Sequence, residues 1–153
     1  MSRQARCWAA LLLLGLVGPL LAGCEVKRDL YFAYVDRVEP AIPGLAAQGT
    51  RAVMGSIAIV NDTGMDVYIY DEDGLEVVKI TPTAWYDKLP SGEWGTRHAG
   101  HSTSYSSGAI RYSGLSPDSD NQVVKTWEVK GRAGDTPFTI YGRTVYEPAR
   151  WGD

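Results

Sequence analysis

An all-β fold, an antiparallel β-sandwich of six or seven strands, is what this sequence predicts. Two observations carry it. The runs after residue 50 are short, apolar or alternating with period 2, and turn residues punctuate them. No helix of useful length is visible, and six or seven short strands in about 120 residues is the number a sandwich of two antiparallel sheets needs.

Leu30-Tyr31-Phe32-Ala33-Tyr34-Val35 reads as a strand. Pro40, Pro43 and Gly44 then interrupt the chain, so residues 39–50 are expected to form a loop or loosely attached arm, with the domain proper starting near Arg51. Residues 53–60 carry Ile57 and Ile59 on one face and end in the turn Asn61-Asp62-Thr63-Gly64. In 67–70, Val67 and Ile69 point one way and Tyr68 and Tyr70 the other. Asp73-Gly74 is a hairpin signal, because both residues tolerate positive φ, and 75–80 returns as the partner strand. Further strands are expected at 102–112, 123–130 and 138–146. In the second of these Val123, Trp127 and Val129 oppose Val124, Thr126, Glu128 and Lys130, with Lys125 the exception on the apolar face. Ser91-Gly92, 113–121 and 131–137 read as turns. Ile57, Ile59, Asn61, Thr63, Val67 and Ile69, followed by Leu89-Pro90-Ser91-Gly92, resemble the hairpin and pre-strand turn of immunoglobulin-like and transthyretin-like sandwiches. That resemblance implies fold and not function.

Composition narrows the function classes. A chain of 153 residues has room for one core, and 15 Lys and Arg against 18 Asp and Glu give a net charge of -3, which argues against nucleic-acid binding by phosphate neutralisation. Two cysteines make no disulfide framework and no CxxC pair.

The first residues differ from the rest. Arg3 and Arg6 form a positive n-region, and residues 8–22 are apolar except for the breakers Gly15, Gly18 and Pro19. This is a secretory h-region, shorter than the ~20 unbroken apolar residues of a membrane-spanning helix. Leu21-Ala22-Gly23-Cys24 closes it and resembles the lipobox of bacterial lipoprotein precursors. The resemblance covers these residues alone. It implies diacylation of the Cys24 thiol, cleavage between Gly23 and Cys24, and acylation of the new N-terminus. Two or three acyl chains anchor stably where one binds marginally, since each buried CH2 contributes about 0.8 kcal/mol. In the same family an Asp after the cysteine favours inner-membrane retention. Glu25 stands here, so the outer membrane is the expected destination in a cell with two membranes, and the outer face of the cell membrane otherwise.

The expected organisation is a signal peptide at 1–23, a lipidated N-terminus with a short strand and Pro/Gly-rich arm at 24–50, and the sandwich at 51–153. Loss of residues 1–23 leaves 130 residues with 13 basic and 18 acidic side chains, a net charge of -5. Cys7 leaves with the signal, and Cys24, once acylated, offers no thiol for catalysis.

Candidate chemistry is sparse. His98 and His101 lie three apart among glycines and could begin a metal site, but a structural zinc wants four ligands and a catalytic one three. Asp87 or Glu93 would have to complete it, so a metal-dependent hydrolase is the least favoured reading. Gly100-His101-Ser102-Thr103-Ser104 misses the nucleophile elbow by its last residue and lacks its strand-to-helix context. Asp71-Glu72-Asp73-Gly74, with Asp66 and Glu76, is rich in oxygen, yet its glycine comes too early for a calcium-binding EF-hand loop. Asn61-Asp62-Thr63 fits a glycosylation sequon, which an exported bacterial lipoprotein does not use.

Aromatic residues say more. Trp127 alternates with polar neighbours and is assigned to the core, whereas Trp85, Tyr86 and Trp94, with Tyr105 close in sequence, form a candidate ligand or partner surface in a Pro/Gly-rich segment. The expectation is therefore a non-enzymatic, lipid-anchored envelope protein without a cofactor. Its sandwich serves as a binding or scaffold module for a protein partner, with glycan recognition through exposed aromatics as the alternative.

Overall fold

The computed structural model describes residues 29–50 and 55–147. The signal segment, Cys24, and the start of the strand expected at 53 lie outside these residues. Ten strands follow in order: β1 (Tyr31–Glu39), β2 (Leu45–Thr50), β3 (Ser56–Asn61), β4 (Val67–Tyr70), β5 (Glu76–Ile80), β6 (Ala84–Asp87), β7 (His98–Ala99), β8 (Ser102–Tyr105), β9 (Gln122–Ala133) and β10 (Thr136–Tyr146). All pairings are antiparallel. They build a seven-stranded sheet, β1-β10-β9-β4-β5-β6-β7, and a three-stranded sheet, β2-β3-β8. The protein is thus an all-β sandwich.

Alternation explains which side of each strand is inside. Val67 and Ile69 of β4 are fully buried while Tyr68 and Tyr70 face outward. Ile57 and Ile59 of the small sheet meet Val67, Ile69, Ile80, Trp127, Val129 and Ile140 of the large one in a single core. Each such side chain contributes about 1.5–3 kcal/mol by leaving water.

The long β9–β10 ribbon turns at Gly134 and Asp135, with Ala133 paired to Thr136 and Gly134 at φ 56°. Two inward glycines are covered by rings on the opposite strand: Gly131 pairs with Phe138 and Gly142 with Trp127. A methyl group on Gly142 would fall within the indole of Trp127 and against the carbonyl of Tyr34. Gly142→Ala is therefore expected to cost about 2–3 kcal/mol through overpacking, read as a lower urea midpoint at unchanged slope. An unmoved midpoint would show that the ring has room to shift.

Several expectations need correction. Residues 45–50 are a strand rather than an arm: β2 pairs with β3 from Leu45↔Asn61 to Thr50↔Ser56, and β1 pairs with β10 from Tyr31↔Tyr146 to Glu39↔Thr139. Pro40, Pro43 and Gly44 interrupt only the corner between β1 and β2, so the domain begins at β1 and not near Arg51. Gly49 allows β2 to cross β1 closely, because a side chain there would meet the Ala33 carbonyl.

The second correction concerns 131–137, where only Gly134 and Asp135 turn and the rest belongs to strands. Pro137 is harmless there because β1 ends at Glu39↔Thr139, leaving β10 an open edge beside it. The third concerns Val123, which is 49% exposed instead of sharing the inward face of Trp127 and Val129. A bulge shifts the register between Thr144↔Lys125 and Val145↔Val123 and turns it away. The strand expected at 102–112 also ends early, at Tyr105, and β2, β6 and β7, for which no strand was expected, bring the count to ten instead of six or seven.

At one end of the sandwich the buried Tyr146 hydroxyl donates to Asp29 at 2.8 Å. That bond, reinforced by desolvation, pushes the phenol up from its ordinary 10.0 to about 12. A raised phenol favours the folded state while it stays protonated. Its stabilisation is complete below pH 10 and is lost as pH rises towards 12. Denaturant midpoints are expected to fall across that window and to fall less steeply in Tyr146→Phe; identical slopes would remove the assignment.

Candidate functional site

The outer face of the large sheet interleaves cations with aromatic rings. Register places Arg132 of β9, Tyr68 of β4, Lys79 of β5 and Tyr86 of β6 in one row, because Tyr68 pairs with both Arg132 and Lys79, and Lys79 with Tyr86. The Arg132 guanidinium lies 3.8 Å from the Tyr68 ring centre and the Lys79 ammonium 5.5 Å from it. Trp94 lies beside Tyr68 at 6.0 Å between ring centres, with Lys88 4.4 Å over the indole. Towards β1 the pattern repeats, with Arg37 4.0 Å over Tyr141 and Arg143 5.6 Å from Tyr34.

Carboxylates hold these cations in place. Glu76 accepts from Arg132 at 2.8 Å and Asp66 lies 3.0 Å from Lys79. The hydrogen bond that Lys79 donates to Asp66 raises it above its usual value, and the one that Arg132 donates to Glu76 does the same, so both remain charged at any physiological pH. Asp36 pairs with Arg143, and Glu39 with Arg37 at 3.2 Å. Each cation–ring contact contributes about 0.5–1 kcal/mol at exposed sites, so the row stiffens the face more than it stabilises the fold.

The four aromatics expected to share a surface separate. Tyr86 and Trp94 join the outer face, Tyr86 through its place in the row and Trp94 through Tyr68. Trp85 alternates to the opposite side of β6, packs against the core and stacks on His98 at 4.0 Å and 14°. Tyr105 is 7% exposed on the inner side of β8, its hydroxyl 3.4 Å from the Tyr70 carbonyl. A short strand places Trp85 and Tyr105 inside by alternation alone, which their Pro/Gly-rich neighbourhood conceals.

His98 and His101 diverge as well. His98 is engaged with Trp85, whereas His101 Nε2 lies 3.5 Å from Asp62. Among the described residues no three His, Cys, Asp or Glu converge as a metal-ligand set. At the acidic hairpin tip, Asp71 accepts the backbone N–H groups of Asp73 and Leu75, and Glu72 accepts that of Ala109. Hydrogen bonds from its own backbone N–H and then from that of Ala109 hold the Glu72 carboxyl below its usual range. Asp71 thus serves the turn itself, and Glu72 ties it to Ala109.

Tyr68, Lys79 and Arg132 were not singled out from the sequence. The available signal was Tyr68, a large aromatic on the face of β4 expected to meet water. Fold and face define an all-β sandwich with a cation–aromatic outer surface. No protein-family model, curated protein or solved structure matches the chain.

Proposed function

We propose that the protein is an exported lipoprotein, held in the cell envelope by acyl chains on Cys24, whose sandwich binds a protein partner through the outer face of the seven-stranded sheet. The observation that carries the binding reading is the row Arg132, Tyr68, Lys79 and Tyr86 with Trp94 beside it. Tyr, Trp and Arg are the side chains that dominate protein hot spots, and here ion pairs hold Arg132 and Lys79 while cation–ring contacts engage Tyr68 and Trp94, so little is lost in ordering them on binding. The membrane address rests on the lipobox resemblance at residues 21–24, and outer-membrane delivery on Glu25.

Stacking on sugars needs open ring faces. Cations lie over Tyr68 and Trp94, and His98 covers one face of Trp85, which favours protein contacts over glycan recognition.

The test is retention of partners from detergent-solubilised envelope on the full chain and on its Trp94→Ala variant. Loss of a hot spot costs ≥ ~2 kcal/mol, so partner affinity should fall about 30-fold while thermal stability stays close to wild type. Retention instead on purified peptidoglycan, unaffected by competing protein, would replace this reading with the glycan one.

A further inference from the structure

Strand β9 is longer than its neighbour. It runs from Gln122 to Ala133, but β4 covers only Gly131, Arg132 and Ala133 before it ends at Tyr70 and the turn at Asp71 carries the chain away. Which backbone groups this leaves open follows from the hairpin. A two-residue turn closes on a hydrogen-bonded pair, here Ala133 and Thr136, and antiparallel pairs then alternate. Ala133, Gly131, Val129 and Trp127 thus direct N–H and C=O towards β10. Arg132, Lys130, Glu128 and Thr126 direct theirs the other way. Arg132 finds Tyr68 of β4, while among the described residues no strand faces Lys130, Glu128 and Thr126.

A cleft of about 380 Å³ runs beside this stretch. Its far wall is Tyr70, Asp71 and Glu72 with Ser107 and Ala109, tied together by the Glu72–Ala109 hydrogen bond at 2.5 Å. Trp127, Val129 and Tyr105 line its apolar side. The Trp127 indole N–H is buried and, among the described residues, has no acceptor.

We propose that residues 126–130 of β9 accept an added strand, an extended peptide segment of another protein. Alternate positions of that segment carry small apolar residues facing Trp127 and Val129. At least one intervening position carries a Lys or Arg, complementary to Asp71, Glu72 and Glu128. Main-chain hydrogen bonds supply affinity and the alternating pockets supply choice, as in other strand-addition sites. Glu128 and Lys130, paired at 3.2 Å on the exposed face, are the kind of charged edge that resists indiscriminate pairing.

A second copy fits less well. Antiparallel self-pairing in the fullest register sets Glu128 against Glu128. The register that sets Glu128 against Lys130 needs Arg132 to face Thr126, and β4 already occupies Arg132. The walled far side also suits a single strand better than the edge of a whole domain.

This surface is distinct from the outer-face row, and the two can be tested apart. The probe is a capped synthetic octapeptide alternating valine with lysine and threonine, added to the full-length protein in detergent, with amide hydrogen exchange and the Trp127 indole resonance as readouts. Exchange at Thr126, Glu128 and Lys130 is expected to slow at least about tenfold, equivalent to ~1.4 kcal/mol. The indole resonance should shift. Glu128→Pro removes one outward N–H and leaves the β10 ladder intact, so it should weaken binding about tenfold or more. Glu128→Ala keeps that N–H and should stay within about threefold of wild type, because an exposed charge pair is worth little. If Glu128→Pro fails to fold, the same peptide N-methylated at alternate residues must fail to bind. Unchanged exchange at saturating peptide would overturn the proposal. So would protection already present without peptide, which on dilution would reveal a second copy if it disappeared and the chain's own backbone if it persisted. Trp94→Ala should leave peptide binding unaltered.

Discussion

Asn61→Ala is expected to lower the stability of the fold by about 3 kcal/mol, a large share of the ~5–15 kcal/mol typical of a domain. The side chain is 1% exposed and uses its whole hydrogen-bonding capacity. Nδ2 donates to the carbonyls of Met65 and Ile80, both at 2.7 Å, and Oδ1 accepts from the Thr63 N–H at 3.1 Å and its hydroxyl at 2.8 Å. Asn61 ends β3 in the small sheet and Ile80 ends β5 in the large one, so one amide ties the two layers together. Truncation strands the Ile80 carbonyl in the interior at about 1–3 kcal/mol and removes the bonds that shape the 61–65 turn. The thermal midpoint should fall by roughly 10 °C. Asn61→Asp should be worse at neutral pH, since a carboxylate would face two carbonyls, and should recover in acid as the protonated group regains one donor. Asp62→Ala, one residue on and 66% exposed at the side chain, should change stability by less than about 0.5 kcal/mol. Equal urea midpoints for Asn61→Ala and Asp62→Ala would refute the role assigned to the amide.

Cys24→Ser is expected to abolish lipid attachment outright. Only a thiolate gives the thioether that the lipobox resemblance implies, and without it neither cleavage after Gly23 nor N-acylation follows. The loss is all or none, because two acyl chains at about 0.8 kcal/mol per buried CH2 hold far more strongly than any contact the ectodomain could substitute. Uptake of labelled palmitate and the mass of the N-terminal peptide are the readouts. Membrane fractionation is a poorer one, since an uncleaved apolar leader would itself keep the precursor on the membrane. The folded domain should keep its stability, as its first strand begins only at Tyr31. Palmitate labelling that persists in the variant would end the lipoprotein reading.

Where a strand's own residues alternate strongly, the sequence exposes it. β4 is bounded as expected because Val67 and Ile69 are apolar and both neighbours are tyrosines, and β5 follows from Asp73-Gly74. β2 was hidden, since Leu45-Ala46-Ala47-Gln48-Gly49-Thr50 has little hydrophobic contrast and owes its extended form to β3 alongside and β1 beneath. Gly131 and Gly142 look like breakers until a ring on the paired strand is seen to fill each space. The site divides in the same way. Residue type pointed to Tyr86 and Trp94, but the row through Arg132, Tyr68 and Lys79 exists only once three strands are in register.

By itself the sequence determined the all-β class, the inward face of its contrast-rich strands and the expectation of a lipidated N-terminus. Each follows from local chemistry, from period-2 alternation or from a contiguous motif. Tertiary structure alone decided that the domain begins at β1, that Asn61 bridges two sheets, that Trp85 and Tyr105 turn inward, and that β9 outruns β4. These depend on which strands pair and where each ends. Pairing is settled by the summed burial and hydrogen bonding of segments tens of residues apart, and no local pattern in this chain encodes it.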